Sequence, residues 1–102
     1  SIYHGGNRHY MILYAEIECV LYNSHSLKEK RSVIKRLIAK IRKDFNVSIA
    51  EIDFQDLWQR TKFAIVTVAN ELLYAERVIQ EVIKVIDSDP ELERTITAVD
   101  RL

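Results

Sequence analysis

Met11-Ile12-Leu13-Tyr14-Ala15-Glu16-Ile17-Glu18-Cys19-Val20-Leu21-Tyr22 is the stretch whose reading decides the fold. Its odd positions, Leu13, Ala15, Ile17, Cys19 and Leu21, are all small or apolar, whereas the even ones include Tyr14, Glu16, Glu18 and Tyr22. A period of two means an extended strand with one face buried and the other wet. Asn23-Ser24-His25 breaks the pattern, and Ser26 then stands three residues before Glu29. That is the spacing of a capping box, in which the two side chains satisfy free N–H groups at a helix start. Beyond it Leu27, Ile34, Leu37, Ile38, Ile41 and Phe45 fall on one side of a 3.6-residue wheel, so an amphipathic helix follows, with Asn46 as its end signal.

Working outward, Val47 to Phe54 reads as a second strand, with Ser48, Ala50, Ile52 and Phe54 the expected buried set. Gln55 to Arg60 is a polar connection holding Trp58. Lys62 to Ala69 is apolar on both parities, as a strand central in a sheet would be. Asn70 is the expected cap of a second helix, whose stripe is Leu72, Ala75, Val78, Ile79, Val82, Ile83 and Ile86. Asp87 to Pro90 stops it, and Thr95 to Val99 is the last strand. Two right-handed β-α-β crossovers in so short a chain imply an α+β fold, a ferredoxin-like βαββαβ sandwich. It has a four-stranded antiparallel sheet, the first and third strands central, and two helices on one face.

At 102 residues there is room for one domain, and an apolar content of 48% can build its core. Residues 1–10 hold both glycines and no periodic pattern; they read as a leader or extension, with residues 11–102 as the single domain. The lone Cys19 has no disulfide partner in the chain, and no apolar run reaches the roughly 18–20 residues that span a bilayer. The expectation is a cytoplasmic protein. Net charge is zero, yet it is unevenly spread. From Leu27 to Lys43 there are Lys28, Lys30, Arg31, Lys35, Arg36, Lys40, Arg42 and Lys43 against Glu29, a net +7. From Glu71 to Glu93 seven acids face only Arg77 and Lys84, a net −5.

The run Ser24-His25-Ser26-Leu27-Lys28-Glu29-Lys30-Arg31-Ser32-Val33 resembles the opening motif of the YlxP-like family, small bacterial proteins of unknown function. Asn46-Val47-Ser48-Ile49-Ala50-Glu51, continuing through Gln55-Asp56-Leu57-Trp58-Gln59-Arg60, is a second match. The resemblance covers Met11 to Leu102 and leaves residues 1–10 without a counterpart. It implies the ferredoxin-like fold, a bacterial source and no established catalytic residues. Genes for such proteins often stand beside those of translation-initiation and ribosome-maturation factors, an association with translation rather than a mechanism.

The first helix start is the leading candidate for function. Ser24, His25 and Ser26 offer donors there, and Lys28, Lys30 and Arg31 oppose the helix dipole, as an anion-holding site would tolerate. Lys28, Lys35 and Arg42 recur every seven residues along one edge, the layout of a surface that reads a phosphate backbone. Against this, Ser26 serves simply as a cap and the basic face is solvated or pairs with the acidic second helix. The sheet's open face is the expected homodimer interface, through Tyr14, Val20, Tyr22 and Ile49, with Phe63 or Ile65 as further candidates. Trp58 and Arg60 are the expected partner contacts. Base stacking on the open face is disfavoured: Lys62-Phe63-Ala64-Ile65-Val66 lacks the glycine and second aromatic that such a strand uses. Glu51, Asp53 and Asp56 read as solvated hairpin charges; no metal, cofactor or membrane is expected. Nothing in the sequence assembles a nucleophile, a base and an oxyanion site, so the expectation is a non-enzymatic accessory protein that binds RNA or the ribosome. The alternative is a homo-oligomeric interaction or small-ligand module.

Overall fold

The computed structural model describes residues 8–102. Six elements follow one another: β1 (Met11–Val20), α1 (Leu27–Asp44), β2 (Ser48–Asp53), β3 (Arg60–Ala69), α2 (Leu72–Ser88) and β4 (Glu93–Arg101). All strand pairs are antiparallel and the sheet order is β2-β3-β1-β4, the ferredoxin-like arrangement with β1 and β3 central. The alternation in β1 holds throughout: Leu13, Ala15, Ile17 and Cys19 are buried, and Tyr14, Glu16 and Glu18 lie on the other face. In register beside them, Ile17 pairs with Phe63 and Ala15 with Ile65, so the inner residues of both central strands meet under the helices. Ile34, Leu37 and Ile41 of α1 and Ala75, Ile79, Val82, Ile83 and Ile86 of α2 close that core. Burying aliphatic side chains of this size contributes roughly 1.5–3 kcal/mol each.

Three sequence expectations are corrected. In β2 the buried residue is Ile49, 2% exposed, while Ser48, Ala50 and Ile52 face solvent. The pairing sets this: Ile49 stands opposite Ile65 and Glu51 opposite Phe63, so the odd positions of β2 face the helices, and the register shift between Glu51 and Asp53 comes only after them. Ile49 therefore leaves the proposed dimer face, and Phe63 and Ile65 are likewise beneath the helices. The N-cap of α2 is Glu71, with no side-chain hydrogen bond, and not Asn70. Of the residues read as an extension, 1–7 (His4 among them) lie outside those described. Arg8 reaches across to the Leu102 carbonyl and stacks 4.8 Å above the Tyr10 ring, so the chain just before β1 is tied to the end of β4.

Phe54 follows β2 with φ at 61°, a left-handed conformation that costs a non-glycine residue roughly 1–2 kcal/mol. Three hydrogen bonds hold it there. Its N–H donates to Asp53 Oδ1 at 2.8 Å, and its carbonyl accepts from Leu57 N at 3.0 Å and from Lys30 Nζ at 2.6 Å. The backbone at Phe54 thus sets the course of the loop that carries Leu57 and Trp58.

Candidate nucleic-acid interface

At the first helix start, Ser26 Oγ accepts from Glu29 N at 3.1 Å, and Glu29 Oε2 accepts from His25 N at 2.6 Å. The Ser26 half of the capping box is thus made, while Glu29 bonds the N–H one residue before the cap, so the acceptor at this helix start is the chain's own carboxylate. Ser24 is buried and its hydroxyl donates to the Ser26 carbonyl. These contacts make Ser24 and Ser26 structural. His25 keeps an exposed ring.

Lys30 is withdrawn from the anion-site set. Its side chain is 1% exposed, and its ammonium lies 3.0 Å from Glu51 Oε2 while donating to the Phe54 carbonyl. Thr61 Oγ1 donates to the same carboxylate oxygen at 2.6 Å. Lys30 stands at the fourth corner of the Ile34, Leu37 and Ile41 stripe, so it points into the core by helical geometry and needs a buried counter-charge.

Lys28, Arg31, Lys35, Arg36, Lys40, Arg42 and Lys43 are all exposed along α1. Among the described residues only Arg36 of this set is ion-paired, to Asp89 at 2.9 Å. The acidic second helix therefore does not neutralise the basic first one. Arg42 donates to the Ile49 carbonyl at 3.0 Å, which covers part of the β2 edge. Lys28, Arg31 and Lys35 occupy neighbouring turns of one helix edge. Arg31 and Lys35 line a recess with Lys30, Ile34, Glu51, Gln55 and Asp56.

The loop that borders this recess continues into a wider cleft of about 660 Å³, lined by Val20, Tyr22, His25, Leu57, Trp58, Gln59 and Arg60. Tyr22, Leu57 and Trp58 are exposed. Arg60 lies 3.9 Å above the Phe54 ring and 3.7 Å from Glu18. The sheet's open face is a lattice of matched charges: Tyr14 donates to Glu16 Oε2 at 2.9 Å, and Lys62 sits 3.0 Å from Glu16 Oε1. The Lys62 ammonium, then the Tyr14 hydroxyl, hold the Glu16 carboxyl below the usual range; that same carboxylate pushes the Tyr14 phenol and Lys62 upward. No cluster of metal-ligating side chains forms among the described residues, and no described helix is long and apolar enough to cross a membrane.

A family model described as "Protein of unknown function (DUF503)" matches residues 12–99. The chain belongs to this family. It is 50% identical over 90 residues to "Uncharacterized protein YlxP" of Bacillus subtilis (strain 168), covering 88% of this chain and 98% of that one. Two de novo designed proteins share the fold at low identity. Foldit4 superposes with a TM-score of 0.52 at 15% identity, covering 91% of this chain and 96% of its own. A design with a ferredoxin fold, solved in solution, gives 0.51 at 16% identity over 87% and 84%. These likenesses speak to fold alone.

In this DUF503 chain the structure brings Trp58 and Arg60 together with Val20, Tyr22 and His25, which the sequence reading had divided among three separate roles. Gln59, which lies between the two expected partner contacts, has a structural part that the sequence does not announce. Its Nε2 donates to the carbonyls of Tyr22 at 3.3 Å and Ser24 at 3.1 Å, and its own carbonyl accepts from Leu21 N at 2.9 Å. No local pattern signals such a stitch between segments more than thirty residues apart, though its place between Trp58 and Arg60 marks it for attention.

Proposed function

We propose that this chain acts by binding RNA, with the exposed basic edge of α1 tracking the phosphate backbone, as an accessory protein rather than an enzyme. The observation that carries it is the row of cations on α1 without acidic partners among the described residues. Exposed, unmatched lysines and arginines at helical spacing release counterions when phosphates replace them, which drives binding and makes it salt-sensitive. The binding edge is Lys28, Arg31 and Lys35. Arg42 contributes charge while serving the β2 edge, and Lys30 takes no part.

The test is binding to ribosomal RNA and to small ribosomal subunits across a salt series. Replacing Lys28, Arg31 and Lys35 by glutamine lowers the slope of log affinity against log salt by about 2 on single-stranded RNA, from roughly 0.7 per phosphate contact. An unchanged slope refutes the assignment. A second reading, self-association through the open face, is favoured by the exposure of Val68 and Ile96 there, 54% and 60%. It expects a dimer in sedimentation velocity that Ile96→Asp converts to monomer. A wild-type chain that stays monomeric at tens of micromolar rules it out.

A further inference from the structure

We propose that the cleft between the β1–α1 and β2–β3 loops receives one unpaired base of the bound RNA, stacked on Trp58. This rests on the backbone reading of α1 and adds to it the strandedness of the ligand. Three observations carry it. First, the cleft presents aromatic surface to solvent: Trp58 is 47% and Tyr22 64% exposed, where a monomer would ordinarily fold such groups away. Second, the cleft is built rather than incidental. Gln59 ties both loops together through two carbonyls, and the Lys30 bond to the Phe54 carbonyl fixes the backbone that leads into Leu57 and Trp58. An aromatic on a pre-set loop loses little freedom when a ligand docks.

Third, the cleft adjoins the cationic edge. Gln55 and Asp56 wall the recess that holds Arg31 and Lys35, and the next two residues, Leu57 and Trp58, wall the cleft. A strand whose phosphates follow α1 therefore meets an aromatic platform as it passes the loop. Cations along a backbone track beside an exposed π-face are the pairing used to bind single strands, because every base offers a face to stack. The rim chemistry fits a base better than an aliphatic peptide side chain. His25, the Arg60 guanidinium and the Gln59 side-chain carbonyl offer donors and an acceptor to a base edge. Two acids stand on the path, Glu51, which is engaged by Lys30, and Asp56. Asp56 disfavours a phosphate directly at the loop tip, so the chain must present its base there and its phosphates to Arg31 and Lys35.

Trp58 is the only tryptophan in the chain, so its emission reports the site directly. Titrating the full chain with a single-stranded oligoribonucleotide is expected to quench Trp58, and the same sequence in duplex form leaves it unquenched. Anisotropy with labelled oligonucleotide is expected to show Trp58→Ala binding single strands on the order of 10- to 100-fold more weakly. Trp58→Phe, which keeps a ring, stays within a few-fold of wild type, and duplex affinity is unchanged in both variants. Single-strand binding with unquenched Trp58 and full affinity in Trp58→Ala overturns the base site and leaves the α1 reading standing. Absence of binding to both RNAs at low salt overturns the α1 reading and this one with it. Emission that shifts with protein concentration in the absence of RNA makes the cleft an interface between copies, and equally overturns the proposal.

Discussion

Removing the Lys30 ammonium is the sharpest test of the structure. The side chain is 1% exposed, its Nζ serves Glu51 at 3.0 Å and the Phe54 carbonyl at 2.6 Å, and Glu51 is 17% exposed. Lys30→Met keeps the aliphatic stem and deletes the charge. Breaking a buried pair from one side costs about 3–5 kcal/mol, because the remaining charge is stranded. Partial solvent access and the Thr61 hydroxyl let Glu51 recover some of that, so the low end, about 3 kcal/mol, is expected. With a urea slope of about 1.5 kcal/mol per molar for a domain this small, the unfolding midpoint falls by roughly 2 M. Glu51→Gln is expected to cost about 2 kcal/mol less in the Lys30→Met background than in wild type, a coupling within the range for directly bonded pairs. A midpoint shift below about 0.3 M in Lys30→Met, or additive single and double variants, refutes the buried pair. It would also return Lys30 to the solvated basic face.

Ser26→Ala removes the acceptor for Glu29 N and lowers stability by about 1 kcal/mol in thermal or urea unfolding. Burial pushes the Cys19 thiol up to about 12, so a disulfide-exchange reagent leaves the native chain unlabelled at neutral pH and reacts once the chain is unfolded. The Arg94 guanidinium holds the Asp87 carboxyl below its ordinary 3.8, and Lys62 holds Glu16 below 4.5. Both contributions to stability are complete above those ordinary values and disappear as the pH falls through the lower folded ones, and Arg94→Ala flattens that acid limb of a stability–pH curve. At the alkaline end, Tyr14 ionises above 10 because its hydroxyl donates to Glu16; Glu16→Gln is expected to bring its spectroscopic titration back down.

Sequence patterning located β1 and both helices because each has one wet face and one dry face over many residues. Leu13, Ala15, Ile17 and Cys19 announce their side of the sheet, as Ile34, Leu37 and Ile41 announce theirs. β2 resisted because it is only six residues long and its apolar residues, Ile49, Ala50 and Ile52, occur on both parities, so alternation alone does not say that Ile49 faces the helices. Lys30 resisted for another reason. Its residue type says surface, while its spacing of four and seven from Ile34 and Leu37 says core, and the spacing prevails because Glu51 and the Phe54 carbonyl are waiting inside. The exposed cations of α1 were legible as charge. The cleft was not, since its walls come from the two segments that Gln59 joins, and only the packed chain sets Tyr22 near Trp58.

The sheet order β2-β3-β1-β4 also governs when the domain can become whole during synthesis. Of its two central strands, β1 is translated first, and the strands that flank β1 come third and fourth. The Thr95 hydroxyl that meets the Glu18 carbonyl is 77 residues downstream of it. Until β3 emerges from the ribosome, β1 offers an amphipathic ribbon with both edges open, and until β4 emerges one edge stays so. The N-terminal cap of α1 can close in the meantime, because His25, Ser26 and Glu29 lie within one turn, whereas its contacts with Glu51, Phe54 and Asp89 must wait. The nascent chain thus exposes its basic segment for some time before its sheet is closed, and translation speed through β3 and α2 sets how long that interval lasts.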